Sequence, residues 1–134
     1  MVPRLSELCA TEIAFDNFDL TNVGATRAVF ELIRLEAVIH FEGFEALGES
    51  VVEPCQYYLN NLDSVLSVVD LMGVVGCDVM VFSSSATVYG NTPAPLDKEQ
   101  YPLSSVSPYG WTGVMTEQIL TDIAHVSGVR AALL

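Results

Sequence analysis

The sequence predicts an α/β fold built on a doubly wound parallel sheet. Compact apolar runs of strand length, longer segments of helical periodicity, and the alternation of the two along the chain carry that expectation. Glu12–Asp16 places Ile13 and Phe15 at period two, a short half-exposed strand. Asn22–Leu35 follows, with Val29, Leu32 and Ile33 at helical spacing. Ala37–Phe41, AVIHF, is a continuous apolar run of the kind buried in a parallel sheet. Pro54 opens a long helix on which Cys55, Tyr58, Leu62, Val65, Val69 and Met72 share a stripe, widened by Leu59 and Leu66. Asp78–Ser83, DVMVFS, is a second buried-type strand. Ser107 and Pro108 form an N-cap and first-turn pair for a helix to about His125, with Met115, Ile119 and Ile123 on one face. Val129–Leu134 is the last strand, and Thr92–Ser107, with Pro93, Pro95 and Pro102, is the one long loop. Helices are expected on both faces of the sheet. In such sheets ligands collect at the carboxyl ends of strands, so the segments after Phe41 and Phe82 are the places to look for function.

Composition narrows the partners. The 134 residues suit one domain with a real core, and half of them are hydrophobic. The formal charge is −12, with only five basic side chains, which argues against nucleic acid or an anionic membrane. Cys9, Cys55 and Cys77 show no CxxC or metal-ligand spacing, so no metal is expected and the thiols are expected to stay reduced in the cytoplasm. No apolar run is long enough to span a bilayer.

Chemistry-bearing residues fall at the predicted strand ends. Ser85 follows the DVMVFS strand, and Tyr109 lies in the first turn of the helix opened by SPYG. A short hydroxyl and a phenol at one strand end can grip one substrate oxygen and move its proton. Asp19 follows the first predicted strand, where a carboxylate can accept hydrogen bonds from a ribose or an adenine. His40 lies inside a strand and reads as a core histidine; Tyr57 and Tyr58 read as packing residues on the long helix.

Motifs over nearly the whole chain then fall into a known order. VIHFEGFEALGESV (Val38–Val51), YYLNN (Tyr57–Asn61), VFSSSATVYG (Val81–Gly90), and SPYG followed by EQILTD resemble the UDP-glucose 4-epimerases of the extended short-chain dehydrogenase/reductase family. The resemblance implies a partial Rossmann-type sheet lacking the family's first two strands. Residues 1–134 would then run from the third to the sixth strand of an NAD-binding domain, with the substrate domain absent. It implies NAD as cofactor and a UDP-hexose as substrate. A tyrosine would take the proton of the sugar 4-hydroxyl while hydride leaves to NAD and returns to the other face. Tyr109 matches that base and Ser85 the hydroxyl that bonds the reacting oxygen. Asp19 and Leu20 match adenosine contacts, Phe41, Glu42, Gly43, Phe44 and Glu45 lie on the cofactor loop, and Asn60 matches a cofactor-binding asparagine.

The chain departs from the family where charge matters. Gly113 stands where a lysine one turn beyond the tyrosine lowers the phenol's pKa and holds the nicotinamide ribose. A phenol with no such neighbour, at an ordinary pKa of about 10, is ionised to roughly one part in a thousand at pH 7. Glu45 replaces a lysine and Glu42 an alanine, and both changes oppose a pyrophosphate. No glycine-rich phosphate loop lies between a strand and a helix; the Gly73–Gly76 pair precedes a strand. The expectation is an epimerase-like chain that does not turn over alone. The alternatives are a non-catalytic interaction module, which pairs through exposed sheet edges with a complementing fragment or as a homo-oligomer, and a decayed fragment.

Overall fold

The computed structural model describes residues 2–41, 43–91 and 101–134. In chain order these form α1 (Val2–Cys9), α2 (Val23–Leu32), β1 (Val38–His40), α3 (Leu47–Val52), α4 (Pro54–Val75), β2 (Val79–Phe82), a 3-10 turn (Ala86–Tyr89), α5 (Pro108–Ser127) and β3 (Arg130–Leu133). The sheet is parallel, in the order β1-β2-β3. Its register pairs His40 with Phe82 and Phe82 with Leu133.

Local chemistry sets the helix ends. Asn22 caps α2, its side chain accepting from the Ala25 amide at 3.2 Å. Ser107 caps α5 by accepting from the Gly110 amide at 3.1 Å, with Pro108 in the first turn, as the sequence predicts. Both α4 and α5 close on a left-handed glycine, Gly76 and Gly128.

The core lies between the helices and one face of the sheet. Phe30 of α2, Val65, Val68, Val69 and Met72 of α4, Met80 and Phe82 of β2, and Leu120 of α5 form one buried cluster. The sheet is less covered than predicted. His40, Met80 and Phe82 are buried, but Ile39 on the opposite face is 62% exposed and Val79 and Val81 are only half-buried. Successive right-handed crossovers that step the same way along a sheet put their helices on the same side. Here α4 and α5 are such a pair; the second layer of a doubly wound sheet comes from crossovers of the same hand that step the opposite way along the sheet.

Other sequence expectations shift as well. Glu12–Asp16 forms no strand: Phe15 is exposed, and the Ile13 amide donates to Ser6 Oγ at 3.1 Å. A period-two pattern becomes a strand only where a neighbour takes its backbone groups, and no described strand pairs with this segment. On α4 Val65, Val69 and Met72 are buried as predicted, but the stripe also runs through Tyr57, Asn61, Ser64, Val68 and Leu71, with Cys55, Leu59 and Leu66 exposed. On α5 the buried face is Gly110, Thr112, Thr116 and Leu120, and Met115 is exposed. The Asn61–Thr112 hydrogen bond joins the two helices, so polar residues as well as apolar ones mark the seam. Most of the predicted proline loop lies outside the described residues.

Candidate functional site

The carboxyl ends of β1 and β2 open into a cleft. Ser83 and Ser84 extend β2 past its last pair: the Ser83 amide donates to His40 O at 3.0 Å and the Ser84 amide to Leu134 O at 2.8 Å. The backbone then turns, and Ser85 caps the 3-10 turn. Its Oγ accepts from the Thr87 amide at 3.3 Å and from Thr87 Oγ1 at 3.0 Å. With both lone pairs engaged, the Ser85 hydroxyl keeps its own hydrogen to donate.

Tyr109 reaches the same cleft from α5. The first turn of that helix is pressed against the 3-10 turn and the segment before it. A Cβ on Gly110 would sit 2.0 Å from Ser105 Oγ and 2.8 Å from Thr87 O, so glycine alone permits this approach. The Ser104 amide donates to Val88 O at 2.8 Å and fastens the same segment to the turn.

The cleft measures about 150 Å³ and is lined by Phe41, Gly43, Phe44, Glu45, Asn61, Val65, Phe82, Ser83–Ser85, Tyr109, Thr112, Gly113 and Thr116. Six sequence-predicted residues thus meet there: Phe41, Gly43, Phe44, Glu45, Ser85 and Tyr109. Gly113 forms part of the wall, and a Cβ there would lie 2.9 Å from Val88 Cγ1. Glu42 lies outside the described residues. Leu20 packs against the core instead of lining the cleft. Asp19 is exposed, and its Oδ1 accepts from the Thr21 hydroxyl at 2.7 Å and the Thr21 amide at 2.8 Å. Those bonds, the side-chain one first, hold its carboxyl below the usual range. Asn60 stands beside the cleft, not in its wall, and its Nδ2 donates to Asn61 Oδ1 at 3.1 Å.

Sequence reasoning passes over four residues here. Asn61 and Thr112 are buried and bridge α4 to α5 at 3.0 Å. Ser84 donates to the Glu117 carboxylate beneath the cleft. The signal for Asn61 is a polar residue in register with Tyr57 and Val65 on a mostly apolar helix face. Tyr57 is buried, donates to Glu49 Oε2 at 2.7 Å and packs edge-on to Phe44 at 5.4 Å. Burial, then its bond to Glu49, raises its phenol above the ordinary value. His40 is buried with its ring 5.8 Å from that of Phe82, as a core histidine should be.

A profile of the NAD dependent epimerase/dehydratase family matches residues 2–134. The chain belongs to that family. It is 42% identical over 120 residues to the UDP-glucose 4-epimerase of Bacillus subtilis, covering 90% of this chain and 35% of that protein. It is also 42% identical over 111 residues to UDP-glucose 4-epimerase 2 of Oryza sativa, covering 83% of this chain and 27% of the relative. Among solved structures, UDP-glucose 4-epimerase from Bifidobacterium longum in complex with NAD+ and UDP superposes with a TM-score of 0.91 at 34% identity, over 98% of this chain and 40% of that one. The chain therefore spans about a third of the length of these curated relatives, and its sheet is the Rossmann type of the epimerases.

The cleft fits one part of NAD and not another. Its hydroxyls and the aromatic rings of Phe41 and Phe44 suit a ribose or sugar hydroxyl beside a flat ring. Among the described lining residues no side chain is basic and Glu45 is acidic, so they offer a pyrophosphate no cationic partner.

Proposed function

We propose that this chain carries the oxygen-handling part of a UDP-hexose 4-epimerase site, in a form without the cation that activates it. Ser85 donates its free hydrogen to the sugar 4-oxygen, and Tyr109 takes the proton of the 4-hydroxyl as the oxygen becomes a carbonyl. NAD, when bound, supplies the acceptor and then the donor of hydride. The single observation that carries this reading is the convergence of Ser85, Tyr109 and the 43–45 loop on one cleft, in a chain whose relatives are named UDP-glucose 4-epimerases.

Gly113 sets the limit of that activity. It lines the cleft one turn from Tyr109 with no charge to favour a phenolate, and Glu45 adds a negative charge to the rim. The chain on its own holds nucleotide weakly and does not epimerise. Purified chain incubated with NAD and UDP-galactose should form no UDP-glucose in a coupled dehydrogenase assay, and should release no NAD on denaturation. Turnover above a heat-denatured control would contradict the loss of activity, and stoichiometric NAD released would contradict the weak hold on nucleotide.

A second reading rests on the sheet edge. β1 has no described neighbour on its outer side, and Phe41 just beyond it is 74% exposed. Such an edge invites pairing with another chain. Sedimentation would show a concentration-dependent dimer if pairing were its role, and a monomer throughout if it were not.

A further inference from the structure

The loop over the cleft is fastened by a side chain instead of a strand. Asn61 Oδ1 accepts from the Phe44 amide at 2.7 Å, and Asn61 Nδ2 donates to Phe44 O at 3.0 Å. One side-chain amide thereby satisfies both backbone groups of Phe44, as a neighbouring strand would. Its other amide hydrogen goes to Thr112 Oγ1 at 3.0 Å, and Thr112 Oγ1 donates to the Tyr109 carbonyl at 2.6 Å.

We propose that Asn61 and Thr112 are positioning residues that hold Tyr109 and the 43–45 loop in fixed register across the cleft. Their role for the reaction rests on the reading of Tyr109 as the group that takes the sugar proton. From Asn61 through Thr112 to Tyr109 the hydrogen bonds run in one direction, because Asn61 spends both amide hydrogens and Thr112 its single one. A flipped Asn61 amide would set a donor against the Phe44 amide. Both residues are buried, Asn61 8% and Thr112 2% exposed, so a lost partner leaves a polar group without water. The loop is shaped to this side chain: Gly43 has φ of +147°, and a Cβ there would lie 3.3 Å from Asn61 Oδ1. On the far side the Phe44 ring rests on Tyr57 at 5.4 Å, so the loop is pinned through backbone and ring together.

Thr112→Val and Thr112→Ser separate positioning from mere packing, with Asn61→Leu as the stronger break. The readouts on the full ligand-free chain are the Phe44 amide exchange rate and the ring carbon–proton NMR signal of Tyr109. Thr112→Val should move the Tyr109 signal while leaving Phe44 protected by Asn61, and Thr112→Ser should restore it. Asn61→Leu should speed Phe44 exchange about tenfold or more, the order expected for one lost net hydrogen bond, and should move Tyr109 too. An unmoved Tyr109 signal in Thr112→Val, or a shift in Thr112→Ser as large, would overturn the proposal even if Asn61→Leu does not fold. A UDP-galactose titration of the wild type separates this from the functional reading. If Tyr109 ignores the sugar nucleotide but moves in Thr112→Val, the function fails and the positioning stands; the converse pattern sinks the positioning alone.

Discussion

Replacing Gly110 with alanine should destabilise the chain although it sits in a helix, where alanine is ordinarily the better residue. The new methyl would lie 2.0 Å from Ser105 Oγ and 2.8 Å from the backbone oxygen of Thr87. Thr87 O belongs to the 3-10 turn and has little room to withdraw. Ser105 is buried and would have to rotate, breaking its contacts to the Ser107 carbonyl at 3.3 Å and amide at 3.4 Å. Overpacking of this kind costs about 1–3 kcal/mol, and the weakened Ser105 bonds add about 1 kcal/mol. Helix propensity returns about 1 kcal/mol, leaving a net loss of about 1–3 kcal/mol by those same terms. Gly73 is the control: it lies within α4, and a Cβ there meets nothing within 4 Å. Gly73→Ala should gain up to about 1 kcal/mol. Urea unfolding with equal slopes should therefore place the two midpoints on opposite sides of wild type. A Gly110→Ala midpoint at or above wild type would refute the tight packing that sets Tyr109 in the cleft.

Further expectations follow from titration and exposure. Tyr57 has its phenol raised above the ordinary 10.0 by burial and Glu49, so it contributes stability fully present below that pH and lost as pH rises through the raised folded value. Wild type should lose stability faster than Tyr57→Phe between pH 9 and 11, roughly the alkaline span around a phenol, in denaturant titrations; parallel curves would count against it. Asp19 is held below the ordinary 3.8 by Thr21, so its contribution is present above that pH and lost as pH falls through the lower folded value. Thr21→Val should flatten the acid limb of the stability profile, and an unchanged limb would argue that the bond contributes nothing. Ile39→Lys puts a charge on the exposed face of β1, and it should reduce any concentration-dependent sedimentation of the wild type; equal association would move the contact elsewhere.

Much of the site was legible because its chemistry sits at strand and helix ends, where sequence signals are strongest. The SP pair caps α5 and aims Tyr109, and the serine run after β2 delivers Ser85, both as the pattern predicts. What periodicity missed has physical causes. The side-chain link between α4 and α5 is made by Asn61 and Thr112, residues that a search for large apolar side chains passes over. Asn61 reveals its role only through Phe44, which is distant in sequence, so no local window contains both partners. Glu12–Asp16 shows the reverse: a strand pattern with no described strand beside it stays irregular.

The most direct test is a residue-resolved NMR titration of the purified chain with UDP-galactose and NAD, followed by product analysis of the same sample. Saturable shifts confined to Ser85, Tyr109 and the 43–45 loop, with no UDP-glucose formed, are the predicted result. Shifts that avoid Ser85 and Tyr109 would contradict the cleft as a sugar-oxygen site, and UDP-glucose in the tube would contradict the consequence drawn from Gly113.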